Sequence, residues 1–393
     1  MNKILKKHKK HTNLERRNNA TFATNELVLL GTKCGVIADL VNQISDKLSK
    51  HKLAYFDASH AKSLDSARDD NYRLSEYVFH HEGNVQITTS GNINKFQQRI
   101  EFAQFDCVFI NGNHYAGSKQ VVFLDIEKEA SINKRIDQIS EIAFFIKMSK
   151  NIAPFQSLKD KFPNWNEIPQ YELSEVEKIT NHVSGLLEKM IPNVKGLVLV
   201  GGKSTRMGTD KSQLKYYKKP QKEHVKELLE NNQLETFYSV RPFYSAQGNK
   251  KEIDVISSAA EKSQEIPDVC LNLGPFGGIC SAFQKDPNSA WLVLATDVPF
   301  VDENVIKLWL KNRNPSKVAT AIKGKGKEFV EPLITIYEPK VYPVLLQYLA
   351  QGYSCPRKTL INSDVEIVEV DDNLIRNINT PEEFKEAAKE INS

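Results

Sequence analysis

The chain has 393 residues, of which 40% are hydrophobic and 26% charged, a composition typical of globular proteins with a sizeable core. No stretch approaches the ~20 apolar residues that cross a bilayer. A net charge of +4 is too small for a polyanion-binding surface over the whole protein. We therefore expect a cytoplasmic protein without membrane or nucleic-acid partners. Its five cysteines are scattered, without CxxC pairs or zinc-site spacing, which is typical of reduced thiols.

The length predicts two domains, at roughly 100–200 residues each. Residues 1–22 are basic, lack the apolar core of a secretory signal and are expected to form a flexible tail. Residues 23–150 and 195–393 each alternate strand and helix patterns, which predicts two α/β domains. Residues 151–194 combine a proline-containing loop with an amphipathic helix and are predicted to be the interdomain linker.

The first domain begins with the apolar strand ELVLL, a turn bracketed by Gly31 and Gly35, and a helix with apolar residues at helical spacing. Three further strands are predicted at KLAYFDASH, FDCVFINGN and KQVVFLDIE. Residues 131–150 resemble a helix that runs toward another apolar segment. The alternation favours a parallel sheet between helices.

The second domain opens with the strand GLVLV. Further strands are predicted at WLVLAT, KVATAI, PLITIYE and DVEIVEV, and helices at DENVIKLWLKN, KVYPVLLQYLAQG and TPEEFKEAAKEI. Thr380 and Pro381 indicate a well-defined helix start, because threonine caps the first turn and proline fits its first position.

A glycine-rich segment, LVGGKSTRMGTDK, follows the first strand of this domain. Gly201 and Gly202 allow backbone N–H groups to approach an anion, and Ser204 adds a hydroxyl donor. Arg206 and Lys211 supply cations that suit a triphosphate. The segment differs from a Walker A loop, since no GK[ST] follows, and from GxGxxG. It predicts a nucleotide site rather than a simple glycine turn.

Asp297 follows the strand WLVLAT, at the carboxyl edge of the predicted sheet, where open α/β folds bind ligands. Magnesium is held by one or two carboxylates together with waters and substrate phosphates. We therefore predict that Asp297 binds Mg²⁺, the alternative being a capping aspartate at a strand end.

Weaker signals lie in two other segments. A glycine-rich turn at residues 271–278 enters an apolar helix and is suited to press backbone against a base. Asp268 precedes the turn and either contacts base or ribose or is a surface acid. Asn377 and Asn379 share one face of an extended segment, where they either contact phosphate or serve turn and cap roles.

In order, these segments resemble the molybdenum cofactor guanylyltransferase family, whose LAGG-x-S-x-RMG-x-DK opening is LVGGKSTRMGTDK here. GPFGG, the Thr296–Pro299 segment TDVP and NINTPEE match its later motifs. The resemblance covers residues 196 to 390 and implies a Rossmann-like fold that transfers GMP from GTP to molybdopterin and releases pyrophosphate.

The same resemblance implies that Leu199, Val200 and Gly201 line the nucleotide, that Lys211 contacts phosphate or base, and that Asp297 binds magnesium. The segment YSVRPFYS departs from the family, which carries an acid or asparagine there. Asn272 or Asp268 is expected to substitute for it in the base pocket. The glycine-rich segments add Gly202, Ser204 and Gly274 to the predicted nucleotide contacts.

The first domain more faintly resembles the P-loop adapter protein of molybdopterin–guanine dinucleotide synthesis. Its loop reads LGTKCGVIAD, with Val36 and Ile37 in place of the phosphate lysine and the magnesium-binding hydroxyl residue. Lys33 is the only candidate replacement. We therefore predict a degenerate P-loop domain that does not hydrolyse nucleotide and serves as a scaffold, or docks a molybdoenzyme or a cofactor-insertion protein.

The predicted fold class is α/β, with two three-layer domains, a degenerate P-loop-like one and a Rossmann-like nucleotidyltransferase. The predicted catalytic residues are Arg206, Lys211 and Asp297, with Asn377 and Asn379 on the acceptor side. Two alternatives remain open. One is a cytidylyl- or uridylyltransferase acting on another phosphorylated acceptor, and the other is a nucleotide-binding cofactor carrier.

Overall fold

The computed structural model describes residues 14–58, 75–89, 94–200, 210–241, 264–270 and 272–393. The chain divides into two compact units, residues 19–190 and residues 191–393, the latter with residues 14–18. Each unit is built around one large sheet with helices packed on it, which confirms the expected α/β fold class. Among the described residues, no helix is long and apolar enough to span a membrane.

The first unit contains a six-stranded sheet of order β2-β5-β1-β6-β7-β8, and every pairing in it is parallel. A separate antiparallel ribbon pairs β3 with β4. The strands are β1 Glu26–Leu30, β2 Leu53–Phe56, β3 Glu76–Phe79, β4 Val85–Thr88, β5 Cys107–Asn111, β6 Gln120–Leu124, β7 Ile142–Lys147 and β8 Gln170–Glu172. The helices are α1 Cys34–Lys47, α2 Lys95–Glu101, α3 Glu129–Lys134, α4 Gln156–Lys161 and α5 Val176–Lys189.

Strand β1 is buried on both faces, as expected for a central parallel strand. Leu27 and Leu29 pack with the apolar stripes of α1 and α5, whereas Leu30 packs on the other side with Ile132 of α3. Full burial of each leucine contributes about 1.5–3 kcal/mol. The alternation places a hydrophobic core on each face of the sheet.

Three local expectations for this unit need correction. Residues 151–190 of the predicted linker belong to the first unit, because β8 pairs with β7 and α5 packs on α1. The amphipathic pattern of α5 predicts a buried stripe but does not say which sheet it covers. Residues 131–150 were expected to form one helix but contain the end of the short helix α3 and then β7. A brief apolar run fits the periodicity of a strand as well as that of a helix. Gly35 lies inside α1, so the turn spans only residues 31–33.

The second unit contains a seven-stranded mixed sheet of order β11-β10-β9-β12-β14-β13-β15. β14 is antiparallel to both of its neighbours, and the other pairings are parallel. The strands are β9 Val194–Leu199, β10 Thr236–Val240, β11 Glu265–Pro267, β12 Ala290–Ala295, β13 Ala319–Gly324, β14 Glu331–Tyr337 and β15 Val365–Val370. The helices are α6 Gln221–Asn231, α7 Pro275–Lys285, α8 Glu303–Lys311, α9 Val341–Ala350, α10 Pro356–Ile361 and α11 Pro381–Asn392.

Strand β12 lies at the centre of this sheet and is buried along its whole length. Leu292 and Leu294 pack in the cluster that includes α6 and α8, whereas Trp291 and Val293 pack in the cluster that includes α7 and α9. The two clusters form the cores on opposite faces of the sheet. Helix α11 begins as expected, with a reciprocal capping box between Thr380 and Glu383.

The start of α6 is tied to the preceding segment by two stacked rings. Tyr217 and His224 lie with ring centroids 3.8 Å apart and planes 18° from parallel. The hydroxyl of Tyr217 donates to the carbonyl of Pro299 at 2.7 Å. Burial, with a further contribution from Lys219, lowers the pKa of His224 from its ordinary 6.5 to about 4.

The lowered pKa of His224 predicts an acid-sensitive contribution to stability. Between pH 6.5 and about 4 the unfolded chain binds a proton that folded His224 does not, so the free energy of unfolding falls as pH decreases through this window. A His224→Phe variant keeps the ring stack. Over this pH window its free energy of unfolding should fall by about 1–2 kcal/mol less than that of the unchanged protein, a range that allows for the partial exposure of the His224 ring. Urea unfolding of both proteins at several pH values measures the difference, and parallel curves would contradict the assignment.

Candidate functional site

The carboxyl ends of β11, β10, β9 and β12 lie at one edge of the second sheet, because these four neighbouring strands are parallel. The chain places β10 and β11 on one side of β9 and then returns to add β12 on the other. Such a reversal opens a crevice where α/β sheets bind ligands. Leu199 ends β9 directly opposite Ala295 of β12, so Val200 and Asp297 leave the sheet side by side.

Asp297 carries a partly buried carboxylate at this edge, with 25% of its side chain exposed. Burial raises the pKa of Asp297, and Lys211, whose Nζ lies 3.7 Å from Oδ2, offsets the rise only in part. The carboxylate thus lacks full compensation of its charge in the protein alone. An electropositive ligand would supply the missing compensation.

Lys211 opens a short 3-10 turn, residues Lys211–Gln213, in which the side chain of Asp210 accepts from the N–H of Ser212. Its side chain is 19% exposed. The ammonium donates to Oδ1 of Asn379 at 2.7 Å while it faces Asp297. Lys211 is therefore held between a carboxylate and an amide at this edge of the sheet.

Asn379 reaches the site through the segment that precedes α11. The backbone N–H of Ile378 donates to the carbonyl of Asp297 at 2.8 Å, which fixes this segment beside the end of β12. The N–H of Asn379 donates to Glu383 at 2.6 Å. Ile378 is buried and Asn377 is exposed. The structure therefore brings Asn379, but not Asn377, into contact with Lys211.

Two adjacent tyrosines hold the Lys211 segment in place, and the sequence reasoning missed both. Tyr216 is buried and packs edge-on against Phe384 of α11, with ring centroids 4.9 Å apart. Tyr217 donates to Pro299, two residues beyond Asp297. Their signal in the sequence is a pair of aromatic residues that begins five positions after the end of the glycine-rich segment. The tyrosines tie Lys211 to both of the segments that carry its partners.

Asp268 follows β11 and is buried rather than at the surface. Its Oδ1 accepts from the N–H of Cys270 at 2.9 Å and from the hydroxyl of Ser281 at 3.2 Å. Ser281 belongs to α7 and was not predicted as part of the site. The Asp268 carboxylate therefore fastens the turn after β11 to α7.

The glycine-rich turn places α7 against the same edge. A Cβ on Gly277 would lie 2.5 Å from the carbonyl oxygen of Cys270, and one on Gly278 would lie 2.5 Å from the hydroxyl of Ser239. Both glycines are thus required for close packing of the helix. Asn272 is exposed and has a positive φ of 63°, and Gly274 precedes the helix with φ 59°.

Four predicted residues, Gly201, Gly202, Ser204 and Arg206, lie outside the described residues. Of the remaining predictions, Leu199, Val200, Lys211, Asp297 and Asn379 lie around the reversal between β9 and β12. Asp268, Asn272 and Gly274 lie between β11 and α7. Among the described residues, no group of three or more His, Cys, Asp or Glu side chains is arranged to hold a metal ion.

The loop after β1 in the first unit differs from a phosphate-binding loop. Residues 31–33 alone separate β1 from α1, and Gly31 adopts φ 98°. Ile37 is fully buried in the core. Lys33 pairs with Glu127 at 3.5 Å, with both side chains 68% exposed, a contact that contributes little. The described residues of this loop provide no buried cation for phosphate.

Comparison with known proteins finds relatives of the second unit. Residues 196–366 match the family described as "MobA-like NTP transferase domain". A molybdenum cofactor biosynthesis bifunctional protein from Synechocystis is 28% identical over 190 residues, which are 48% of this chain and 52% of that protein. A molybdenum cofactor guanylyltransferase from Pseudomonas putida is 26% identical over 50% of this chain and 98% of its own length. This chain thus spans about half of the Synechocystis relative.

Two solved structures match parts of this chain. A molybdopterin-guanine dinucleotide biosynthesis protein A from Archaeoglobus fulgidus is 24% identical, with a TM-score of 0.41, over 50% of this chain and 98% of its own. A MobB homologue from Bacillus stearothermophilus is 12% identical, with a TM-score of 0.30, over 42% and 99% respectively. Residues 196–366 are thus similar to the MobA-like NTP transferase domain, a family of nucleotidyltransferases.

Proposed function

We propose that the second unit transfers GMP from GTP to the terminal phosphate of molybdopterin and releases pyrophosphate, with Mg²⁺ as cofactor. The family match and the functions of the relatives support this reaction class. The observation that carries the proposal is the contact of Lys211 with both Asp297 and Asn379 at the reversal between β9 and β12.

The donor set fits magnesium. Asp297 offers one carboxylate, and Mg²⁺ commonly keeps several waters and uses substrate phosphates for its other positions. Burial raises the pKa of Asp297, as expected for a carboxylate whose compensating cation is only partly supplied by Lys211. In the proposed reaction Asp297 holds the metal, which would neutralise charge on the phosphate oxygens.

Lys211 would bind the triphosphate directly. Its ammonium is positioned by Asn379 and Asp297, so little side-chain freedom is lost when phosphate arrives. Arg206 and the amides of Gly201 and Gly202, with the hydroxyl of Ser204, are proposed to bind the remaining phosphate oxygens. Attack by the acceptor phosphate on the α-phosphorus then requires no covalent intermediate, because catalysis rests on positioning and charge neutralisation.

We assign the base to the region between β11 and α7. Leu199 and Val200 would line one side of the nucleotide, with Asn272 and Gly274 contributing exposed backbone on the other. Asp268 would contribute to base binding indirectly, by holding the turn after β11 against Ser281, because its Oδ1 already accepts two hydrogen bonds. Asn377, which is exposed, remains a proposed acceptor-side residue together with Asn379.

The reaction predicts pyrophosphate release that requires both GTP and a molybdopterin acceptor. The purified full chain is incubated with Mg²⁺, acceptor and each of the four nucleoside triphosphates in turn, and pyrophosphate is measured. We expect pyrophosphate release with GTP and with none of the other three triphosphates. Faster release with CTP or UTP would replace the proposed donor, and tight GTP binding without turnover on this acceptor would favour a carrier function.

Replacing Asp297 by asparagine should separate activity from stability. We expect turnover to fall at least about 100-fold, because the proposed metal ligand loses its charge. Without ligand the variant should melt at a higher temperature near neutral pH, since the raised pKa of Asp297 shows that its charged form opposes folding. Glu382→Gln, on the exposed first turn of α11, is the matched control and should change neither quantity. Near-normal turnover in Asp297→Asn would remove Asp297 from the metal site.

Lys211 and Asn379 should differ in the size of their effects. Lys211→Met removes a charged hydrogen bond to phosphate and should raise KM for the triphosphate about 10–100-fold. Asn379→Ala leaves the ammonium in place but unpositioned, so a rise of about 10-fold or less is expected. Exposed Lys385→Met is the control for loss of one positive charge. Equal KM values for Lys211→Met and Lys385→Met would exclude a direct phosphate contact.

A further inference from the structure

The carboxyl edge of the first unit's sheet carries a group of polar side chains that its proposed scaffold role does not use. Asp57 directly follows β2, His114 lies just beyond β5, and Cys34 begins α1 after the short turn that follows β1. These strands are neighbours in the order β2-β5-β1, and their parallel pairing brings the three residues to one edge.

The three side chains meet at His114. Its Nε2 lies 3.3 Å from Sγ of Cys34 and 3.7 Å from Oδ1 of Asp57. The amide Nδ2 of Asn113 lies 3.7 Å from the same sulfur and donates at 2.8 Å to the carbonyl of Thr32, so it links the β5 turn to the loop that carries Cys34. The same ring nitrogen, Nε2, thus lies within proton-transfer reach of the thiol and next to a carboxylate. A thiol with an adjacent base is the arrangement of an activated nucleophile.

Asp57 is held in its ionised form. Burial acts to raise the pKa of this carboxyl, but Asn111, the Tyr55 hydroxyl, the Ala58 N–H and His114 together outweigh it and lower the pKa. The Tyr55 hydroxyl donates to Oδ2 at 2.8 Å and the Ala58 N–H to Oδ1 at 2.7 Å. A fixed negative charge therefore lies beside Nε2 of His114.

Asn111 ends β5 and is fully buried beside this group. Its Oδ1 accepts from the N–H of Asn113 at 3.0 Å, and its side chain interacts with Asp57 and lowers the pKa of that residue. Asn111 therefore helps to hold the negative charge of Asp57 next to His114.

Neither phosphate nor a metal ion suits this group. The first helical turn carries Val36 and Ile37 where a phosphate loop carries its cation and hydroxyl, and Lys33 is directed to Glu127. Within the described ranges, no cluster of three or more His, Cys, Asp or Glu side chains could hold a metal. The chemistry left to Cys34 and His114 is that of sulfur.

We propose that Cys34 and His114 form a nucleophile–base pair that reacts with small disulfides and carries a mixed disulfide at this edge of the first unit. The thiol proton of Cys34 passes to Nε2 of His114, and Sγ attacks one sulfur of the disulfide. A new S–S bond forms as the old one breaks, and the released thiolate takes the proton back from His114. The site is thus a reversible modification site, independent of nucleotidyl transfer in the second unit.

The test compares two cysteines of the same molecule. The reduced full chain is treated with oxidised glutathione at pH 7, and site-resolved mass spectrometry follows Cys34 and Cys355. Cys355 is exposed whereas Cys34 is only half-exposed, so access alone would make Cys355 the faster. We expect Cys34 to react about 10-fold faster or more, because a positioned base contributes at least this much. A Cys34 rate at or below that of Cys355 overturns the proposal without any variant.

Two variants identify the base. His114→Gln should bring the Cys34 rate to within about 3-fold of the Cys355 rate, and Asp57→Asn should lower it by a smaller factor. The matched control is His51→Gln, which removes another histidine–aspartate contact of the same unit, His51 to Asp106 at 3.6 Å, away from Cys34. Circular dichroism checks that each variant is folded. An unchanged Cys34 rate in folded His114→Gln, or an equal loss in His51→Gln, would contradict the role of His114.

Discussion

The parallel pairing of β9 with β12 is the constraint on which the candidate site depends. Six residue pairs, from Val194 opposite Ala290 to Leu199 opposite Ala295, fix the register of the two strands. A slip of one residue would turn every side chain to the other face of the sheet and expose the core on both sides. The pairing therefore places Leu199 at the end of β9 near Asp297 after β12, although nearly 100 residues separate them along the chain.

Around this pair the rest of the site is assembled by backbone and aromatic contacts. The hydrogen bond from Ile378 to the carbonyl of Asp297 fastens the C-terminal segment to the sheet edge. Tyr216 and Tyr217 fasten the Lys211 segment to the same region from the other direction. These contacts surround the carboxylate of Asp297. Its raised pKa shows that the ionised form is disfavoured in the free protein. Such local cost is common where a site is prepared for a charged ligand.

The first unit uses the same kind of sheet edge with different chemistry. Its strands are all parallel, and its loops also converge at the carboxyl ends. The residues there are a thiol, an imidazole, a carboxylate and a buried amide in place of phosphate-binding groups. Fold and chemistry are therefore separable in this protein, because the sheet determines where a site forms and the loop residues determine what it binds.

The amino-acid sequence by itself determined the features that depend on near neighbours. Strand–helix alternation indicated two α/β domains, and Thr380, Pro381 and Glu383 indicated the start of α11. The glycine-rich segment and Asp297 indicated the reaction class. Hydrophobic periodicity did not decide between strand and helix for the short apolar run of β7. For α5 it predicted an apolar face but not the sheet on which that face packs.

Only the tertiary structure decided which distant side chains meet. Lys211 and Asn379 are 168 positions apart, and Cys34 and His114 are 80 apart. Neither contact can be predicted from the spacing of the two residues along the chain. Each depends on the order and register in which the strands pair in the sheet. The same holds for Asp57, which became a partner of His114 only once β2 paired with β5. Periodicity and turn chemistry act over a few residues, whereas a site is defined by contacts between segments that folding brings together.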